Sequence, residues 1–191
     1  MEERPEHLYI YGYCTDYVTG ESVVDTDDER YRQELARFLV EEKGYSKDNL
    51  EVRQIIETNF SGFFVRSKIA VVVSHRNRRC MIIRYAPGSL VTRERPAIAA
   101  ARVLDDSYQI PLAVIVNGEE GELLDTLSGR VIATGYEGIP DKAYIEENFA
   151  GLTFPAPPEG KKREKELRIL NAYDLEVCCR KESCSLQGKG Q

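Results

Sequence analysis

Residues 63–87, the stretch that decides the fold of this chain, read FFVRSKIAVVVSHRNRRCMIIRYAP. Two segments rich in apolar and β-branched residues flank the polar connection SHRNRR, which is the pattern of two antiparallel strands joined by a turn. The preceding EVRQIIE, residues 51–57, has the same strand character and follows a polar turn. The pattern therefore predicts three consecutive antiparallel strands.

Helical patterns lie on both sides of these strands. Residues 25–45 carry a capping-box spacing at Thr26 and Glu29, an apolar helical face, and a glycine stop. Residues 92–108 have a helical composition and lead directly into the apolar strand PLAVIVNG. A helix at this point carries the chain across to a strand parallel to an earlier one. The order α-β-β-β-α-β predicts an α/β fold with a mixed central sheet between helices.

The chain ends suggest one domain and an attached segment. Residues 8–24 favour a hairpin-like lead-in, and Asn117-Gly118 followed by residues 122–134 favours a closing hairpin at the edge of the sheet. We interpret Asn117-Gly118 as a structural turn. The predicted division is a domain at 1–150, a Pro/Gly linker at 151–160, and a charged C-terminal helix or tail at 161–191, with three leucines of that helix facing inward: Leu167, Leu170 and Leu175.

Composition restricts the environment and the partners. The 26 basic and 32 acidic residues give a formal charge of −6, which argues against a protein that coats nucleic acid over its whole surface. We expect a cytoplasmic protein without membrane association, because no apolar run is long enough to span a bilayer. The cysteines lack the paired spacing of a zinc site, so free thiols are expected at Cys14, Cys178, Cys179 and Cys184.

The chain resembles the N-terminal domain family of type I restriction enzyme R subunits from about Asp16 to about Ala133. The specific features are T-x-x-E-x-x-R-Q from Thr26, E-x-G-Y from Glu42, the Ala86-Pro87 pair, and the strand that ends in Asn117-Gly118. The resemblance implies a restriction-endonuclease-like three-layer sandwich. It also implies a magnesium-dependent nuclease site, with an acid on the second strand and an E-x-K motif on the third.

The residues at those motif positions depart from the family pattern. Lys68 stands in place of the first acid, Ile83 in place of the glutamate, and Tyr85 in place of the lysine. Magnesium requires hard oxygen ligands, which neither an ammonium group nor an alkyl side chain provides. Of the family's acids, Glu29 on the first helix remains, and it has a second interpretation as part of the capping box. The second-helix glutamine and tyrosine of the family correspond approximately to Ala100 and Leu104.

Basic residues are concentrated between positions 66 and 95, where Glu94 is the only acid. One interpretation is a phosphate-binding surface beside the nuclease-like cleft; the other is a solvated hairpin loop with charged strand edges that discourage pairing between sheets. Both remain open for the eight residues: Arg66, Lys68, Arg76, Arg78, Arg79, Arg84, Arg93 and Arg95.

Three hypotheses for the function follow. The leading one is a catalytically inactive relative of the nuclease domain that binds DNA or another nucleic acid, or another protein, and needs no cofactor. The second is an endonuclease in which relocated acids bind magnesium. The third is a structural protein that docks a partner or a second copy of itself. The acids considered for the second hypothesis are Asp16, Glu29, Glu51 and Glu57.

Overall fold

The computed structural model describes residues 10–60 and 63–178 of the 191-residue chain. Within these residues there are eight strands, four α-helices and three single-turn 3₁₀ helices. The strands are β1 (Ile10–Thr15), β2 (Ser22–Thr26), β3 (Leu50–Phe60), β4 (Phe63–His75), β5 (Arg78–Tyr85), β6 (Leu112–Val116), β7 (Gly121–Asp125) and β8 (Arg130–Thr134). The helices are α1 (Asp27–Glu41), α2 (Glu94–Val103), α3 (Lys142–Asn148) and α4 (Gly160–Cys178), and the 3₁₀ turns are Lys47–Asn49, Val91–Arg93 and Phe149–Gly151.

Six of these strands form one mixed sheet in the order β3-β4-β5-β6-β7-β8. All neighbouring pairs are antiparallel except β5 and β6, which α2 connects as a parallel pair. The predicted antiparallel triplet, the parallel strand after the second helix and the closing hairpin are therefore confirmed. The predicted lead-in hairpin is also confirmed, as a separate two-stranded sheet of β1 and β2.

Alternation along the strands divides the core between the two faces of the sheet. On one face, Val71 and Ile83 pack with Leu39 of α1. On the other face, Val72 and Ile82 pack beneath the alanine-rich helix α2. Because both faces are apolar, both need a helical cover. The α/β class is thus confirmed, with α1 on one side of the sheet and α2 and α4 on the other.

Helix α4 lies in the segment that the sequence placed outside the domain. Leu170 is fully buried in the same core as α2, and Arg84 on β5 pairs with Asp174 on α4. The segment before it is attached as well, since the backbone NH of Gln109 donates to the carbonyl of Pro155 at 2.8 Å. The described part of the C-terminal segment therefore shares the core of the domain, and α4 completes the cover over one face of the sheet.

The structure describes the side chains of two of the five cysteines, and its helices can be compared with the length that a membrane span requires. Cys14 is half-buried and Cys80 is buried, both as free thiols. Cys179 and Cys184 lie outside the described residues, as does the side chain of Cys178. None of the helices in the described ranges is long and apolar enough to cross a membrane.

Candidate functional site

A cleft of about 350 Å³ opens between the β1–β2 hairpin, the first turns of α1, and strands β3 and β4. One wall is apolar and comes from the hairpin and the strand edges, whereas the floor carries charged side chains. The charged residues that line it are Asp28, Glu29, Arg32, Arg53 and Lys68, and the uncharged ones are Val23, Val24, Thr26, Gln54, Ile55, Ile69, Ala70 and Tyr85.

Arg53 enters the cleft through an unusual backbone conformation in the middle of β3. Its φ is +55°, in the left-handed region that a non-glycine residue rarely adopts within a strand. The ladder to β4 is interrupted at this residue, between the pairs Val52↔Val71 and Gln54↔Ile69. On β4, the consecutive residues Ala70 and Val71 both pack into the core on the α1 side, although strict alternation would separate them. Backbone strain of this kind is concentrated at functional sites.

Glu29 lies at the centre of a buried network on the floor of the cleft. Its backbone NH donates to Oγ1 of Thr26 at 3.2 Å, which forms the predicted N-cap of α1. Its carboxylate is engaged elsewhere: it pairs with Arg32, accepts from Nε2 of Gln33 at 2.7 Å, and lies 3.3 Å from Nη1 of Arg53. The capping interpretation therefore holds for the backbone NH of Glu29, whereas its carboxylate is part of the charged network in the cleft.

Asp16 is the second buried acid of this network. Its Oδ2 accepts from Nε2 of Gln33 at 2.9 Å and from Arg53, and its Oδ1 accepts from the backbone NH of Thr19 at 2.7 Å. Burial alone would raise the pKa of this carboxyl, but the hydrogen bonds from Thr19, Gln33 and Arg53 outweigh burial and lower its pKa to about 2. Asp16 therefore holds Arg53 in place as a carboxylate.

We expect Asp16→Asn to lower the free energy of unfolding by roughly 2 kcal/mol at pH 7, because the depressed pKa of Asp16 stabilises the folded state. The native pKa, about 2, lies below the usual value of 3.8. The contribution is therefore complete above about pH 4 and disappears as the pH falls towards 2. Urea unfolding at pH 7, 4 and 2.5 measures it, with Asp106→Asn at an exposed position as the matched control. If the free energies of unfolding of Asp16→Asn and the parent differed by the same amount at all three pH values, the depressed pKa of Asp16 would be contradicted.

The three altered motif positions occupy different environments. Lys68 is exposed at the cleft and forms no ion pair with any described residue. Tyr85 is half-buried, lines the cleft, and stacks on Tyr31 with ring centroids 3.9 Å apart. Ile83 does not line the cleft, because its side chain is fully buried in the core beside Leu39. The structure thus brings Lys68, Tyr85 and Glu29 together and separates Ile83 from them.

These residues do not fit a magnesium ion. The ion needs carboxylate oxygens with free lone pairs, and the Glu29 carboxylate is occupied by two guanidinium groups and an amide. Among the residues described, no three acids, histidines or cysteines are grouped in a way that could hold a metal.

The four acids considered as relocated magnesium ligands are not all brought together. Asp16 and Glu29 do meet, but through Gln33 and Arg53. Glu51 instead forms a bidentate pair with Arg79, and Glu57 pairs with Arg66 at 2.9 Å on the exposed edge of the sheet.

The eight predicted basic residues fall into three separate groups. Arg66 and Lys68 lie two residues apart on one face of β4, and the second group surrounds the β4–β5 turn about eight residues, or roughly 25 Å, further along the strand. In this turn Arg78 stacks on Phe154, with its guanidinium 4.0 Å from the ring centroid. The members of the groups are Arg66 and Lys68; Arg76, Arg78 and Arg79; and Arg84, Arg93 and Arg95.

Two of these residues are not available as surface cations. Arg84 is 7% exposed and its Nη2 lies 3.0 Å from Oδ1 of Asp174, so its assignment to a nucleic-acid surface is corrected. Its position on β5 directs it towards the α2 side, whereas the cleft lies on the α1 side. Arg79 is half-buried against Glu51. A single continuous patch of all eight residues is therefore not present.

Sequence reasoning missed the three residues that hold the acids: Arg32, Gln33 and Arg53. Two of them were already part of the T-x-x-E-x-x-R-Q pattern, since Arg32 and Gln33 follow Glu29 by one helical turn and so share its face. Arg53 had no comparable signal, because an arginine in a strand ordinarily points to solvent. Its role depends on the left-handed backbone conformation.

Comparison with known proteins identifies the family. The family model described as Type I restriction enzyme R protein N terminus (HSDR_N) matches residues 27–140, more than half of the chain. This range includes α1, the antiparallel triplet and the floor of the cleft, and the resemblance noted from the sequence is confirmed. No curated protein and no solved structure gave a significant match. The chain belongs to the family of type I restriction enzyme R protein N-terminal regions.

Proposed function

We propose that this chain is a restriction-endonuclease-like domain that binds nucleic acid in its cleft without magnesium-dependent cleavage. The observation that carries the proposal is Lys68, an exposed cation without an ion-pair partner among the described residues, at the position where the family has a metal-binding acid. In the restriction-type nucleases a metal ion supplies the positive charge against phosphate. Here the Lys68 ammonium supplies positive charge to the cleft, beside two arginines that are paired with Glu29 and Asp16.

The charge distribution in the cleft supports a phosphate ligand. Lys68 is the lining cation that has no ion pair among the described residues, because Arg32 pairs with Glu29, and Arg53 pairs with Glu29 and Asp16. Arg66 lies on the same face of β4, since residues two apart in a strand point to the same side, and its guanidinium is half-exposed while it pairs with Glu57 at 2.9 Å. The protein as a whole is acidic, with a formal charge of −6, so this local basic surface is the place where a polyanion is attracted.

The test is fluorescence anisotropy with labelled single-stranded and duplex oligonucleotides at two salt concentrations, in EDTA and in magnesium, with gel analysis for cleavage. We expect binding that weakens with salt, does not require magnesium, and leaves the oligonucleotide intact. Lys68→Ala removes one charge-assisted contact, and we expect it to lower the affinity about tenfold and the salt slope by about 1. Asp28→Asn removes an opposing charge and should strengthen binding.

Matched variants separate the cleft from other basic surfaces. Lys161→Ala removes an exposed lysine at the start of α4 and should leave the affinity unchanged. Arg76→Ala/Arg78→Ala tests the β4–β5 turn, and a loss confined to this double variant would place binding at the turn and contradict the cleft. Salt-independent anisotropy with every oligonucleotide, or magnesium-dependent cleavage by the purified protein, would overturn the proposed function.

A further inference from the structure

The β1–β2 hairpin carries exposed apolar and aromatic side chains directly beside the cleft. Tyr13 is 78% exposed, and it lies opposite Val24 in the hairpin register. Directly opposed residues of two antiparallel strands place their side chains on the same face. Val24 and Ile55, both about 40% exposed, line the cleft together with Lys68. We call Tyr13, Val24 and Ile55 the apolar rim: Ile55 lies directly opposite Lys68 in the β3–β4 register, and Tyr13 shares the hairpin face of Val24.

This rim is not explained by packing. A largely exposed tyrosine ring and two exposed β-branched residues contribute little to the core, and the exposure of their apolar surface to water is unfavourable. The neighbouring residue Tyr11 differs, because it is covered by the guanidinium of Arg30 at 3.6 Å and donates to Asp27 at 2.9 Å. Tyr13 has no such cover among the described residues, so its ring face is free to stack.

The rim and the cleft together have the two components of a single-strand site. A basic groove follows the phosphates, and an aromatic side chain stacks on a base whose face is free. In a duplex the faces of the bases are stacked on one another, so a side chain at the edge of a cleft reaches phosphates and groove edges instead. An ammonium and an aromatic ring that both lack partners within residues 10–60 and 63–178 thus favour an unpaired nucleotide.

We infer that Tyr13 is a stacking platform for an unpaired base, with the adjacent phosphate held by Lys68, so that the cleft prefers single-stranded over duplex nucleic acid. This inference rests on the proposed function, since it places the phosphate in the same cleft. Ile55, which lies directly opposite Lys68 in the register of β3 and β4, and Val24 cover the sugar between the base and the phosphate. The recognition is not specific for one base, because each base offers a stacking face.

The test uses the absence of tryptophan from the chain. Tyr13→Trp introduces a single indole whose emission is quenched when a base stacks on it, and Tyr144→Trp, at an exposed position on α3, is the matched control. The ligands are a dT oligonucleotide and a duplex of equal length. We expect the dT strand to quench Tyr13→Trp and not Tyr144→Trp. We also expect Tyr13→Ala to lower the affinity for the single strand roughly tenfold, and Tyr13→Phe to retain it.

The outcomes distinguish this inference from the proposed function. If Lys68→Ala weakens binding while Tyr13→Ala does not, and the indole is not quenched, the cleft binds phosphate and the stacking inference is wrong. Equal affinity for the single strand and the duplex would likewise overturn the preference. If neither ligand binds the parent protein, the proposed function fails, and the stacking inference fails with it.

Discussion

Ile83→Glu is expected to lower the free energy of unfolding by roughly 4 kcal/mol, or to prevent folding, although the resemblance implies a glutamate at this position. The side chain of Ile83 is fully buried, between Val71 on β4 and Val114 on β6, in the core beneath α1. A carboxylate there loses its hydration and gains no partner. Urea unfolding followed by circular dichroism measures the change.

Two variants control for the size and the place of this effect. Ile83→Val removes one methyl group and should cost about 1 kcal/mol. Lys68→Asp introduces the acid that the resemblance implies at an exposed position, and it should change stability by less than about 1 kcal/mol. If Ile83→Glu were as stable as Ile83→Val, the residue would face the cleft instead of the core, and the description of the motif positions would be wrong.

Arg84→Met is expected to cost roughly 3 to 5 kcal/mol, because it leaves the buried carboxylate of Asp174 without its cation. Both side chains are 9% exposed, and the pair joins β5 to α4. The change should therefore loosen α4 from the sheet as well as lower the overall stability. Urea unfolding gives the total, and hydrogen exchange of the α4 amides reports the local opening.

The double variant Arg84→Met/Asp174→Leu separates the pair from the packing of the two side chains. Replacing both partners with apolar residues removes the unpaired charge, so we expect most of the lost stability to return. Arg163→Met provides the comparison with a solvent-exposed pair, since Asp106, its partner at 3.5 Å, is 93% exposed. A double variant as unstable as Arg84→Met would show that α4 is held by something other than this pair.

The order of secondary structure was accessible from the sequence because it depends on local patterns. Alternating β-branched residues, the short SHRNRR connection and the alanine-rich second helix each specify an element within a few residues. The turn between β4 and β5 illustrates this: Arg76 and Asn77 both have positive φ, as a two-residue hairpin requires. One of the patterns that indicated the family, T-x-x-E-x-x-R-Q from Thr26, supplies Glu29 and Arg32 to the cleft.

The position of α4 was not accessible in this way. A charged helix after a proline-rich segment has the pattern of a tail, and its docking depends on pairs between residues far apart in the chain. Arg84 and Asp174 are 90 residues apart in the chain. The basic residues could not be placed from the sequence for the same reason. Residues that are clustered in sequence along two long strands lie at both ends and on both faces of a sheet.

The sequence by itself determined the α/β class, the strand order of the central triplet and the family. These features depend on residue type and on spacing along the chain. Only the tertiary structure decided that Ile83 belongs to the core, that Arg84 pairs with Asp174, and that Arg53 joins Asp16 to Glu29. The physical reason is that burial and ion pairing depend on which face of an element meets which neighbour, and a residue's identity does not specify that neighbour.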